Sequence, residues 1–234
     1  MTTVTTTRYS PKPFAWSYSR LKNFESCPKR HYEVDIAKNV KEDESEQLQF
    51  GNALHEALAK RIGKNVQLPT PFAKYESWAA RMVTPVGIKG VDTKVLVEQK
   101  LAITKDFGPC DFFDKRAWFR GVGDVIKITG PVALVADWKT GKLLDDSMQL
   151  ALMAQCVFAH HPEIQRVRSE FIWLKEDATT RADFSRQDMV KLWVNLHPRI
   201  AALEHAHNTT TYPAKPGSLC RRWCPVRSCP HHGV

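Results

Sequence analysis

No stretch of this chain is apolar for long enough to cross a bilayer, and its first residues lack the charged segment and apolar core of a secretion signal. No membrane partner is therefore expected, and the cytoplasm is the expected location. Internal repeats and long linkers are also missing, which favours one α/β domain over a string of modules. Acidic residues are the scarcer charge: 25 Asp and Glu against 34 Lys and Arg leave +9, which suggests a polyanionic partner, although a merely basic soluble protein carries the same charge. Six cysteines without a secretion signal point to metal ligands or free thiols rather than a disulfide framework. What is present is globular: 43% apolar and 25% charged over 234 residues is enough for a sizeable core.

Two strand-like segments, Phe119–Ile128 and Val132–Gly141, flank the turn residues Thr129, Gly130 and Pro131 and read as an antiparallel hairpin. A symmetric hairpin sets Asp124 opposite Asp137, and the two-residue alternation puts Lys139 on the face of Asp137. Opposed carboxylates about 5 Å apart repel by roughly 3 kcal/mol at an effective dielectric near 20. Two acids and a lysine on an otherwise apolar hairpin do not serve stability. A divalent cation between the acids, with Lys139 beside it, removes the conflict and makes the hairpin a metal-dependent hydrolytic site.

The remaining elements frame that hairpin. Residues 1–15 read as a flexible tail and 16–234 as one domain, with a polar, mostly acidic stretch at 41–47. Ser19 is a plausible cap for a helix ending near Cys27 and Pro28. Leu48 to Ile62 is helical, with Leu48, His55, Leu58 and Ile62 on one stripe. Residues 73–83 form a second helix with Phe72, Trp78 and Met82 toward the core, and Val95–Ile103 a strand followed by a loop at 108–111. Asp146 or Ser147 caps a helix to about His160, Val167–Lys175 is a strand, and Ser185 caps a long helix to about His205 that Pro198 kinks or breaks. The tail from Pro213 is rich in Pro, Gly and Cys and forms no regular element. Glu98 reads better as a solvated strand acid than as a metal ligand.

His55 in Gly51–His55, Asp124 in Gly121–Asp124, the run Asp137–Gly141 and the following Gln149 together resemble the RecB-like branch of the PD-(D/E)xK nucleases. Ser17–Leu21, Cys27–Pro28 and the closing cysteines resemble its iron–sulfur subgroup, which includes CRISPR-adaptation and AddB-type nucleases. The motifs run in order from about residue 17 to about 230. Where the family often has a tyrosine four residues after the glutamine, this chain has Met153, which removes a DNA-contacting or water-orienting group.

The resemblance implies a restriction-endonuclease-like core, with a mixed sheet flanked by helices and a helical N-terminal portion clasped to the C-terminus. It implies that His55, Asp124, Asp137 and the main-chain carbonyl of Trp138 hold Mg²⁺ or Mn²⁺, with Lys139 and Gln149 completing the catalytic set. It further implies that Cys27, Cys220, Cys224 and Cys229 bind a [4Fe–4S] cluster. Structural zinc, with His231 or His232 in place of Cys27, is the competing assignment. Cys110 and Cys156 read as structural thiols.

DNA with free ends or single strands is the expected partner. Lys22, Lys29, Arg30, Lys60, Arg61, Arg221, Arg222 and Arg227 are candidate phosphate contacts, and Phe24, Tyr32 and Trp223 are candidate stacking residues. The activity so implied is a metal-dependent DNA exonuclease of recombination, repair or end processing, working with recombination or CRISPR-adaptation proteins. A non-catalytic DNA-binding subunit and a restriction-type endonuclease are the alternatives.

Overall fold

Gly130 and Pro131 set the centre of the molecule. Gly130 takes φ +55°, cheap only without a Cβ, and the proline ring fixes its own φ near −65°. Those signs suit a two-residue reversal. Across it Thr129 pairs with Val132, and the register runs back to Val125 opposite Ala136, so the symmetric hairpin read from the sequence is present.

The structure is a computed structural model describing residues 13–42, 45–86, 90–143 and 146–234. Most of the expected tail and part of the acidic stretch at 41–47 lie outside the described residues. The helices are α1 (Tyr18–Ser26), α2 (Pro28–His31), α3 (Glu46–Lys64), α4 (Glu76–Val83), α5 (Ser147–His160), α6 (Asp188–Thr209) and α7 (Leu219–Arg222). The strands are β1 (Thr93–Ile103), β2 (Pro109–Cys110), β3 (Phe119–Thr129), β4 (Val132–Lys139), β5 (Arg166–Trp173) and β6 (Ala178–Ser185). They form one mixed sheet in the order β2-β1-β3-β4-β5-β6. Only β4 and β5 run parallel, and α5 supplies the crossover that a parallel pair needs.

Both faces of the sheet are covered, and the hairpin shows why its strands read as nearly continuous apolar runs. Ile126, Ala133 and Val135 pack against Leu152, Cys156 and Val157 of α5 and Leu196, Ile200 and Leu203 of α6. Their neighbours Val125, Ala136 and Trp138 point the other way, onto Leu54, Leu58 and Ile62 of α3 and Ala79 and Met82 of α4. Each Val, Leu, Ile or Met among them contributes about 1.5–3 kcal/mol on leaving water. The chain is already packed at Phe14, whose ring lies 5.4 Å from that of His207, ahead of the boundary at 16 expected from sequence.

Several local expectations shift. Ser17, not Ser19, caps α1, accepting the Arg20 N–H at 3.4 Å. In α3 the buried stripe is Gly51, Leu54, Leu58 and Ile62, while Leu48 is 50% exposed. At 100° per residue Leu48 lies about 75° from the centre of that stripe, so the helix turns it out to solvent. Residues 70–75 form a 3₁₀ turn before α4, and the loop at 108–111 contains the short strand β2. Asp146 sits at the cap position of α5 but accepts a hydrogen bond from the Tyr18 hydroxyl instead of capping. Ser185 closes β6, a strand the sequence did not announce; its N–H and Oγ donate to Asp188, and α6 begins there. Pro198 does not end α6, which continues to Thr209.

Candidate active site

Glu98 marks the place where the sheet opens. The β1–β3 ladder runs from Val97 opposite Val125 to Gln99 opposite Gly123, skipping Glu98 and Asp124. Glu98 takes φ +50°, a left-handed conformation that costs a non-glycine residue about 1–2 kcal/mol. Side-chain alternation slips there: Leu96 and Leu101, five residues apart, meet the same core. Two acids thus stand side by side at an interruption of the ladder rather than inside it.

His55 reaches this point from α3. Gly51, one turn earlier, lacks the Cβ that would sit 3.1 Å from Thr140 Oγ1, which lets the helix lie close to the end of β4. His55 occupies the edge of the buried stripe, and its Nδ1 lies 3.3 Å from Asp124 Oδ1. The other oxygen, Oδ2, accepts the Trp138 N–H at 2.8 Å, replacing the ladder bond that would follow Val125–Ala136. Ligand atoms of His55, Glu98 and Asp124 all lie within 4.8 Å of one another, and no other such trio occurs among the described residues.

A second trio adjoins the first. Asp137 is buried at the end of β4, and its Oδ1 accepts the Gln149 Nε2–H at 3.0 Å. Lys139 Nζ stands 2.6 Å from Asp137 Oδ2 and donates to Gln149 Oε1 at 3.2 Å. The Lys139 contact with Oδ2 is an ion pair without hydrogen-bond geometry, so that buried oxygen keeps a lone pair unsatisfied. Lys139 also lies over the Phe171 ring, 4.5 Å from its centroid.

The electrostatics fit a site short of positive charge. Burial and then the Asp124 carboxylate push Asp137 up to about 6. Glu98 is raised by burial and by Asp124. Burial works against a charged His55, but its hydrogen bond to Asp124 and the surrounding carboxylates outweigh that and hold it above its ordinary value. Clustered acids, one of them shared with the Lys139 ammonium, and one imidazole form a donor set that suits a hard divalent cation with some nitrogen tolerance.

Each side chain expected in the site from sequence, His55, Asp124, Asp137, Lys139 and Gln149, is therefore in this neighbourhood. Trp138 contributes its N–H here, while its ring belongs to the opposite core. Glu98, read as solvated, stands among the candidate ligands; positive φ leaves no trace in a strand-like sequence.

Cys27, Cys220, Cys224 and Cys229 line one small cavity with His231. All four thiols are free, and the Lys215 N–H donates to Cys27 Sγ at 3.4 Å. Among the described residues no three of these sulfurs lie within 4.8 Å of one another. Cys110 and Cys156 are buried, and desolvation raises both thiols, as suits structural residues. Several candidate DNA contacts are otherwise engaged: Arg61 pairs with Glu76, Arg30 with Glu42, Phe24 packs on the core, and Tyr32 packs on Tyr212.

Two clefts meet at the site. One, of about 710 Å³, is lined by His55, Glu98, Asn52, Lys60 and Lys64. The other, of about 580 Å³, runs from Gln149 along β3 to the start of α1.

A family model described as the PD-(D/E)XK nuclease superfamily matches residues 15–230. Among solved structures the chain is similar to one from Eubacterium rectale described as a "Putative exonuclease", at 13% identity and TM-score 0.56, covering 97% of this chain and 94% of that one. A structure described as SSO0001 shares 14% identity over 96% of this chain and 89% of that one, with a TM-score of 0.44. No curated protein matches. No helix among the described residues is long and apolar enough to cross a membrane.

Proposed function

Because the chain belongs to the PD-(D/E)XK nuclease superfamily, we propose that it is a Mg²⁺- or Mn²⁺-dependent DNA exonuclease. The observation that carries this reading is the pair of adjoining trios, His55–Glu98–Asp124 and Asp137–Lys139–Gln149, at the broken end of the sheet. Asp124, Asp137, His55 and the carbonyl of Trp138 would hold the cation, with Glu98 as a further ligand from β1. When bound, such a cation lowers the pKa of a water and neutralises charge gathering on the phosphate.

The protein's own groups do the rest. Lys139 Nζ, a compact cation with three donors, orients the attacking water and stabilises the negative charge of the transition state. Gln149 bridges Lys139 and Asp137, which fixes the ammonium against β4 and leaves a neutral amide for a phosphate oxygen or water. Lys60 and Lys64, exposed along the larger cleft, attract a phosphate backbone. Buried Met153 leaves Lys139 and Gln149 as the donors near the cleavage point.

An exonuclease is preferred to an endonuclease because of the description carried by the Eubacterium rectale neighbour. Cys27, Cys220, Cys224 and Cys229 would hold a [4Fe–4S] cluster, which is wider than a single ion and takes four thiolates. Their placement on a shared cavity, and the N–H bond to Cys27 Sγ, support a thiolate site, for which zinc remains the competing occupant. Joining residue 27 to residues 220–229 closes a loop worth on the order of 5 kcal/mol in the chain-entropy treatment of cross-links. DNA end processing in recombination, repair or CRISPR adaptation is the setting such an enzyme fits.

Time courses on end-labelled single- and double-stranded oligonucleotides with Mg²⁺, Mn²⁺ and EDTA test the reading. Cation-dependent shortening from an end, with covalently closed circular DNA left intact, is expected. Cutting of the circle makes the protein an endonuclease, and no cleavage under any condition makes it a binding subunit.

A further inference from the structure

The smaller cleft has a composition that phosphodiester hydrolysis alone does not need. At one end lies the start of α1, a nine-residue helix with no acid in its first turn, together with Ser17, Ser19 and Arg20. Ser17 already takes the Arg20 N–H, so the positive end of the helix dipole and the Arg20 guanidinium are what favour a phosphate there. At the other end stand Phe112 and Phe113, adjacent in the loop between β2 and β3. The Phe113 ring is 78% exposed, an unusual placement for an aromatic that supports no core. Two cations already approach the pair's faces: Lys100 Nζ lies 5.9 Å from the Phe112 centroid and 5.8 Å from that of Phe113, and the Arg120 guanidinium is 5.8 Å from Phe112.

Trp16 and Gly121 shape the walls of the cleft. Trp16, 1% exposed, lines it and packs its ring on Trp118 and Phe119. The floor is opened by the missing side chain of Gly121, where a Cβ would stand 2.7 Å from Met153 Sδ. Gln149 belongs both to this cleft and to the catalytic group, so a chain lying here leads directly to the site of cleavage.

Resting on the nuclease reading above, we infer that this cleft seats an unpaired terminal stretch of single-stranded DNA. A phosphate docks at the start of α1 beside Arg20, and a base stacks on Phe113. The volume of about 580 Å³ falls in the range of small-ligand sites. A base inside a duplex has both faces covered by its neighbours and a blunt end bares only the outer face of its last pair, whereas an unpaired base can enter the cleft without its partner strand and stack on Phe113. The cleft thereby selects frayed or single-stranded ends over blunt ones.

The test is binding by full-length protein in EDTA, read as fluorescence anisotropy of a labelled single-stranded oligothymidylate and of a blunt duplex. Phe113→Ala and Phe113→Leu should each weaken oligothymidylate binding about tenfold or more, while Phe113→Tyr retains it and duplex binding is unchanged. Arg20→Gln should reduce the slope of log affinity against log salt by about one contact. Equal losses on both DNAs, or no loss in Phe113→Leu, overturn the inference. Cleavage with Mg²⁺ is measured in parallel. Wild-type cleavage with no Phe113 effect on binding removes the cleft assignment and spares the nuclease, whereas the Phe113 effect without any wild-type cleavage does the reverse.

Discussion

Replacing Asp137 by Asn should make the metal-free protein more stable and catalytically dead, and the stability gain should depend on pH in a defined window. In the fold the carboxyl is raised from 3.8 to about 6, first by burial and then by the Asp124 charge. Between those values the unfolded chain has released the proton and the folded one still holds it. Stability of the wild type therefore falls as pH rises from about 4 to about 6. Two units correspond to about 3 kcal/mol. Asn cannot ionise, so the difference between Asp137→Asn and wild type should grow by up to about 3 kcal/mol across this window and stay flat above it. Urea unfolding in EDTA at a series of pH values between 4 and 8 measures this. A cation present at about a hundredfold its Kd should recover about 2.7 kcal/mol in the wild type and much less in the variant. A stability difference that does not vary between pH 4 and 7 would refute the claim that the buried, unsatisfied carboxylate is what the site is organised around.

Other expectations follow from the same geometry. Lys139→Ala should lower cleavage by a factor on the order of 10²–10⁴ with the circular dichroism spectrum unchanged, since the side chain is partly exposed and braces no core. Glu98→Gln and His55→Ala should each raise the Mn²⁺ concentration needed for half-maximal activity at least tenfold; calorimetric titration with Mn²⁺ alone checks this without DNA. Leu54→Ala should cost about 2–5 kcal/mol in urea unfolding, because Leu54 is wholly buried against the hairpin. Anaerobically purified protein should contain iron and acid-labile sulfide, and Cys224→Ser should lose both; a zinc content of one with no iron would reject the cluster.

The hairpin and its charged trio were legible because three independent signals coincide: turn residues, two-residue alternation, and acids where apolar neighbours are expected. The helix α5 was equally plain, since Leu150–Phe158 is buried almost without interruption and flanked by turn residues. The phase of α3 was not, because Leu48 fits the same periodicity as Leu58 and only the end of the packed face decides between stripes. The strand β6 went unread because an edge strand open to solvent carries weak alternation, and Ala178–Ser185 is nowhere fully buried. Nothing in the sequence singled out Phe112 and Phe113, because Lys100 and Arg120 reach them from strands distant in the chain. Glu98 is exposed, as read from the sequence, and its place beside His55 and Asp124 was the part that could not be read. A strand acid facing water and a strand acid twisted toward a histidine are spelled identically.

That twist has a consequence for the descent of this chain. At φ +50° glycine is the residue the backbone prefers, so chance substitution at position 98 has a stabilising direction open to it that discards the carboxylate. Only demand for the chemistry opposes that drift. A descendant with glycine at this position would be expected to fold more robustly than its ancestor and to demand far more Mn²⁺ for the same work.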